Sequence, residues 1–124
     1  MTTLVLVVMA VFFAGIGLYG LAAPGALIRP FGVTLQSATA RAEVRAVYGG
    51  FGLAIATVLA YAVADDDMRA GIALTVALAL LGMAFGRLVA CAIERPERFY
   101  PSWLYFGVEV LGGGVLLAVT VFGE

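Results

Sequence analysis

Residues 41–64 read Arg-Ala-Glu-Val-Arg-Ala-Val-Tyr-Gly-Gly-Phe-Gly-Leu-Ala-Ile-Ala-Thr-Val-Leu-Ala-Tyr-Ala-Val-Ala. Three charges, Arg41, Glu43 and Arg45, occupy the first two turns of a helix, and the 19 residues from Ala46 to Ala64 carry none. At 1.5 Å per residue, that run covers about 28 Å as an α-helix, close to the ~30 Å hydrocarbon thickness of a bilayer. The stretch thus decides the solvent of the fold. It is a helix that starts among headgroups, crosses lipid and ends in water at Asp65-Asp66-Asp67.

Outward from this span, the chain repeats the pattern. On the N-terminal side, Leu4–Ala23 is a 20-residue uncharged run closed by Pro24-Gly25, with Tyr19 placed to set its hydroxyl among headgroups. Residues 24–40 are too polar, and too broken by Pro24, Pro30 and Gly32, to span. They read as an interfacial loop folded over the bundle end, with Ser37 or Thr39 as N-cap of the next helix. On the C-terminal side a third helix runs from about Met68 to Ile93 with Arg87 inside its apolar stretch. The loop Glu94–Ser102 follows, with Phe99, Tyr100, Trp103 and Tyr105 as an aromatic belt, and then a last helix to Phe122 with Glu109 embedded.

The predicted fold is all-α, a single-domain four-helix transmembrane bundle of antiparallel up-down topology, with helices at about residues 4–23, 40–64, 68–93 and 103–122. Two stripes of small residues, Ala42/Ala46/Gly50/Ala54 and Gly82/Gly86/Ala90, predict close approach of helix backbones.

Composition narrows the function. Hydrophobic residues make up 64% of the chain and charged residues 12%, about half the share usual in soluble domains, so lipid must cover most of the surface. Seven arginines against eight acids leave no field for nucleic acid. Without histidine there is no imidazole to ligate a metal or haem, and the triple aspartate lacks the spaced partners of a calcium loop. No cofactor or metal is expected. A lone cysteine, Cys91, excludes an internal disulfide and reads as a small buried apolar residue. The first apolar run is too long for a cleaved signal, and no basic residue precedes it.

Arginine placement sets an expected orientation. Arg29, Arg41, Arg95 and Arg98 lie on the side of loops 24–40 and 94–102, and only Arg69 lies on the side of the termini. The positive-inside rule puts those loops in the cytoplasm and both termini outside, in a multi-pass protein of the inner membrane.

Arg87 and Glu109 lie 11 residues either side of Arg98, so a hairpin between them brings both to one depth. Arg45 reaches a similar level from the same side, Glu43 is at most a turn shallower, and Tyr48 a turn deeper. Glu43, Arg45, Tyr48, Arg87 and Glu109 therefore form the candidate polar cluster, with Arg87–Glu109 as its first contact. Glu43 and Arg45 point ~160–200° apart on a helical wheel, and which of them joins the pair stays open. As register glue such contacts average only ~0.6 kcal/mol, whereas charges inside a membrane are functional candidates by default.

The run Ala42–Gly50, then Gly86-Arg87, then Glu109 in a last helix, resembles an uncharacterised bacterial membrane family, domain of unknown function 4345. Its fold is similar to that of the DoxX-like four-helix membrane proteins. The resemblance covers about Phe12 to Val119, is most specific at Glu43/Arg45/Tyr48/Gly49/Gly50, and implies a fold but no activity. DoxX-like relatives are linked to redox and sulfur metabolism.

Three functions follow in order of preference. The first is a small membrane protein that binds a lipophilic small molecule, or a membrane-protein partner, at the Glu/Arg cluster near the cytoplasmic side. The second is a small proton- or cation-coupled transporter, which needs Glu109 free to exchange a proton. The third is an intramembrane isomerase or redox enzyme with Glu43 or Glu109 as acid or base. Binding is favoured over catalysis, and the sequence sets no oligomeric state.

Overall fold

The computed structural model describes residues 1–96 and 99–122. The loop centre at Arg98, and its contribution to the arginine bias, lies outside the described residues. The elements are α1 (Thr2–Ala22), a short α2 (Pro24–Ile28) running into a 3-10 turn (Arg29–Phe31), α3 (Ala38–Ala64), α4 (Asp66–Ile93) and α5 (Ser102–Phe122). There is no strand among the described residues. Four of the helices are long and apolar enough to cross a membrane. Leu4, Val11, Phe85 and Leu111 all point away from the bundle and are more than half exposed. In water each would forgo its hydrophobic stabilisation; against lipid tails the same surface costs nothing.

The segment after α1 is more ordered than a bare loop. Pro24 sits at the first turn of α2, where its missing N–H is no loss, and Pro24, Leu27 and Ile28 are buried against the bundle end. Gly32 then reverses the chain at φ 79°. Ser37, rather than Thr39, caps α3, its Oγ accepting from the Ala40 N–H at 3.0 Å.

α1 packs on α3 through glycines, in opposite chain senses. A Cβ on Gly17 would stand 2.8 Å from the Leu53 nitrogen and 2.9 Å from the Gly49 oxygen, and one on Gly20 would stand 3.0 Å from the Gly49 nitrogen. α4 packs on α5 at Gly113, where a Cβ would lie 3.1 Å from the Ala77 oxygen. The two expected stripes are not these contacts. Ala42, Ala46, Gly50 and Ala54 face outward, as do Gly82, Gly86 and Ala90, and a Cβ on Gly82 or Gly86 would meet nothing within 4 Å. The face of α3 that is buried carries Gly49, Gly52 and Ala56, because α1 offers Gly17 and Gly20 opposite it.

Within α3, Arg45–Gly50 forms a π turn. Gly49-Gly50 supplies the backbone freedom that such a turn uses. At the far end only Asp65 separates α3 from α4. The expected aspartate turn shrinks to this residue, whose carboxylate accepts from the Asp67 and Met68 N–H groups, while Asp66 and Asp67 enter the first turn of α4. Negative charge is favourable at that helix start. Arg69 donates back to the Ala62 and Val63 carbonyls at 2.9 and 2.8 Å and to Asp66, tying the two helices together.

The core gathers in the half of the bundle that holds this junction. Leu6 and Met9 of α1, Leu59 of α3, Val76 of α4 and Leu116 of α5 are among its members. The other half, under α2, is not filled by side chains, and a cavity lies there.

Candidate functional site

The cavity measures about 610 Å³, and every spanning helix contributes to its wall. Phe12, Phe13 and Ile16 come from α1, Leu80 and Met83 from α4, and Val108 from α5; Leu27 and Phe31 cover the end nearest the loops. The π turn places Ala46, Val47 and Tyr48 on the wall, followed by Phe51 and Gly52. Its exposed members are Ala46, Val47 and Phe51 of α3 and Met83 of α4. The opening therefore lies on the flank between α3 and α4, facing the surface that a bilayer would cover.

Two charges interrupt this apolar lining. Arg87 lies six residues before the end of α4 and Glu109 seven after the start of α5, both roughly 10 Å into the bundle. Glu109 is 3% exposed. Its two oxygens accept from Arg87 Nε at 2.8 Å and Nη2 at 3.1 Å, the planar two-point pairing that guanidinium and carboxylate geometry favours. Two charges buried in an apolar wall are tolerable only when paired this closely. The guanidinium also lies over the rings of Phe31 and Tyr105, at 6.0 and 5.9 Å from their centroids. That is the outer limit of a useful cation–π contact, so each ring adds about 0.5 kcal/mol. Phe31 and Tyr105 touch one another at 5.5 Å, and the charge pair is thus roofed by aromatics.

The polar inventory left over is uneven. A guanidinium has five N–H donors, of which two go to Glu109, and among the described residues Arg87 donates to nothing else. Tyr48 and Tyr105, both half-buried on the wall, bring hydroxyls that make no hydrogen bond to the described residues. The pair itself is electrically neutral.

Of the five residues the sequence grouped, the structure brings together Tyr48, Arg87 and Glu109 at the cavity. Arg45 goes elsewhere. Its Nε donates to the Leu21 carbonyl at 3.0 Å, one of the unpaired acceptors at the end of α1, where a cation is also favoured by the helix dipole. Glu43 is exposed and makes no ion pair among the described residues. Neither Arg45 nor Glu43 joins the Arg87–Glu109 pair, and for Arg45 the α1 carbonyls are the nearer partner. Sequence reasoning missed Phe31 and Tyr105. Tyr105 was legible, since it precedes Glu109 by four residues and shares its helix face; Phe31 left no signal beyond its place in the loop.

A second cavity of about 440 Å³ at the opposite end is lined by Thr2, Asp66, Arg69 and Thr120. Arg69 is spent there on the α3 carbonyls and Asp66, a structural arrangement.

Among known proteins, the family model described as a domain of unknown function, DUF4345, matches residues 1–120. No curated protein matches, and neither does any solved structure.

Proposed function

Since the chain belongs to the DUF4345 family, whose description names no activity, we propose from its geometry that it is a membrane protein that holds a lipophilic molecule between its helices. The observation that carries this reading is the apolar cavity of about 610 Å³, open on the α3–α4 flank, with the Arg87–Glu109 pair on its wall. Its size lies in the range of cavities that enclose small organic ligands, and its few polar groups converge as orienting groups do.

The arginine bias supports an inner-membrane location with loops 24–40 and 94–102 in the cytoplasm and both termini outside. In that frame the charge pair lies under the cytoplasmic leaflet. The four-span size also supports placing the chain beside the DoxX-like proteins of bacteria. Neither alternative function gains a specific observation. Proton-coupled transport needs a carboxylate free to exchange, and both Glu109 oxygens are held by Arg87. Acid–base chemistry at Glu109 meets the same obstacle, and Glu43 faces away from the cavity.

The test fills the space. Full-length protein released from lipid nanodiscs carries a bound lipophile in native mass spectrometry, and Val108→Trp, which occupies the cavity, loses it. A wild-type chain that retains nothing, from any lipid extract presented, overturns the reading.

A further inference from the structure

The hydrogen-bond groups around the charge pair specify the polar end of such a ligand. We infer that the cavity selects an uncharged lipophile whose polar end is an oxygen acceptor, a carbonyl, ether or alcohol, held by the free N–H groups of Arg87. This rests on the cavity reading above and deepens it.

Three of the five guanidinium donors remain after the two bonds to Glu109, and they belong to a side chain that lines the cavity and is 24% exposed. The carboxylate is 4% exposed and both of its oxygens already accept from Arg87. The charged part of the wall therefore offers donors and almost no acceptor. An anion would use those donors but lose most of its attraction. Placed about 4 Å from the guanidinium carbon and about 6 Å from the carboxylate, it surrenders roughly two-thirds of the Coulomb gain to repulsion. It must also shed its hydration on entering an apolar site. A cation meets the opposite difficulty, since the guanidinium stands in front of the carboxylate that would attract it. A neutral oxygen acceptor avoids both costs and satisfies a donor that the apolar wall otherwise leaves unpaired. The phenol groups of Tyr48 and Tyr105 add two more hydrogen-bonding positions on the same wall without adding charge.

Four probes of nearly equal chain length separate the cases: 2-heptadecanone, heptadecane, hexadecanesulfonate and hexadecyltrimethylammonium. Each is presented at equal mole fraction to the full chain in nanodiscs, and the molecules retained per chain are counted by native mass spectrometry. Wild type retains the ketone about tenfold better than the hydrocarbon or either ion, as a hydrogen bond from a charged donor implies. Arg87→Leu/Glu109→Leu, which keeps the cavity neutral and removes the charged donors, cuts the ketone's advantage over the hydrocarbon at least about threefold, leaving only what the Tyr48 and Tyr105 hydroxyls hold. Equal retention of ketone and hydrocarbon by wild type, preference for either ion, or a ketone preference that the double substitution leaves undiminished overturns the assignment of the head group while leaving the cavity reading intact. Retention of none of the four by wild type removes the cavity reading and this inference together.

Discussion

Replacing Arg87 by leucine leaves Glu109, 3% exposed, without the two bonds at 2.8 and 3.1 Å that compensate its burial. Removing one partner of a buried ion pair costs about 3–5 kcal/mol, because the survivor keeps its desolvation penalty and loses its attraction. Glu109→Leu is milder, about 1–3 kcal/mol, since Arg87 is 24% exposed, has a long flexible stem and keeps its contacts with Phe31 and Tyr105. Arg87→Leu/Glu109→Leu removes both charges and leaves apolar groups of similar volume, so its stability returns to within about 1 kcal/mol of wild type. The measurement is reversible unfolding in mixed micelles titrated with dodecyl sulfate, followed by far-UV circular dichroism, with the four proteins read as a double-substitution cycle. Two results would refute the reasoning: Arg87→Leu within about 1 kcal/mol of wild type, or a double variant no more stable than Arg87→Leu.

The other predictions use the same unfolding measurement. Gly17→Ala places a methyl 2.8 Å from the Leu53 nitrogen, where only backbone could yield, and destabilises by about 1–3 kcal/mol; Gly86→Ala meets nothing and gains about 0.5–1 kcal/mol of helix propensity. One substitution with opposite signs at two glycines reports which helix faces are packed. Arg45→Met removes a cap from α1 and costs about 1 kcal/mol, yet leaves lipophile retention unchanged because Arg45 is not on the cavity wall. The Tyr61 hydroxyl, followed by the Met68 N–H, holds the Asp65 carboxyl below its ordinary range. A lowered folded value contributes stability above the unfolded value near 3.9 that is lost as pH falls through the folded one. Asp65→Ala is therefore destabilising at pH 7 and converges on wild type in acid; a gap that does not narrow as pH falls below the unfolded value contradicts the cap.

Much of this fold was readable because a bilayer fixes lengths. Apolar runs of about 20 residues have one use, and four of them, two charge-free and two interrupted by a single charge at Arg87 or Glu109, match four spans. Arg87 and Glu109 were readable as partners because loop symmetry sets depth in a hairpin, and an unpaired charge at that depth is costly. Direction around the helix axis was harder. Small residues mark faces that can approach closely, but Gly82 and Gly86 stay bare while Gly49 and Gly52 are packed, a choice made by Gly17 and Gly20 in another helix. The partner of Arg45 was hidden for a related reason. It is a backbone carbonyl at Leu21, and every sequence position carries a carbonyl, so side-chain chemistry gives no hint of it.

The π turn at Arg45–Gly50 has a consequence for length variation. The six residues of the turn cover nearly the rotation that five residues give an α-helix at about 100° each, so one residue removed between Val44 and Phe51 would relax the bulge into ordinary α-helix and leave the flanking helix faces nearly unturned. Glu43 and Phe51 on either side would keep their places, while the stretch that carries Ala46, Val47 and Tyr48 on the cavity wall would lose one position and be redistributed. A one-residue deletion there would thus leave four spans in place and change what the interior recognises.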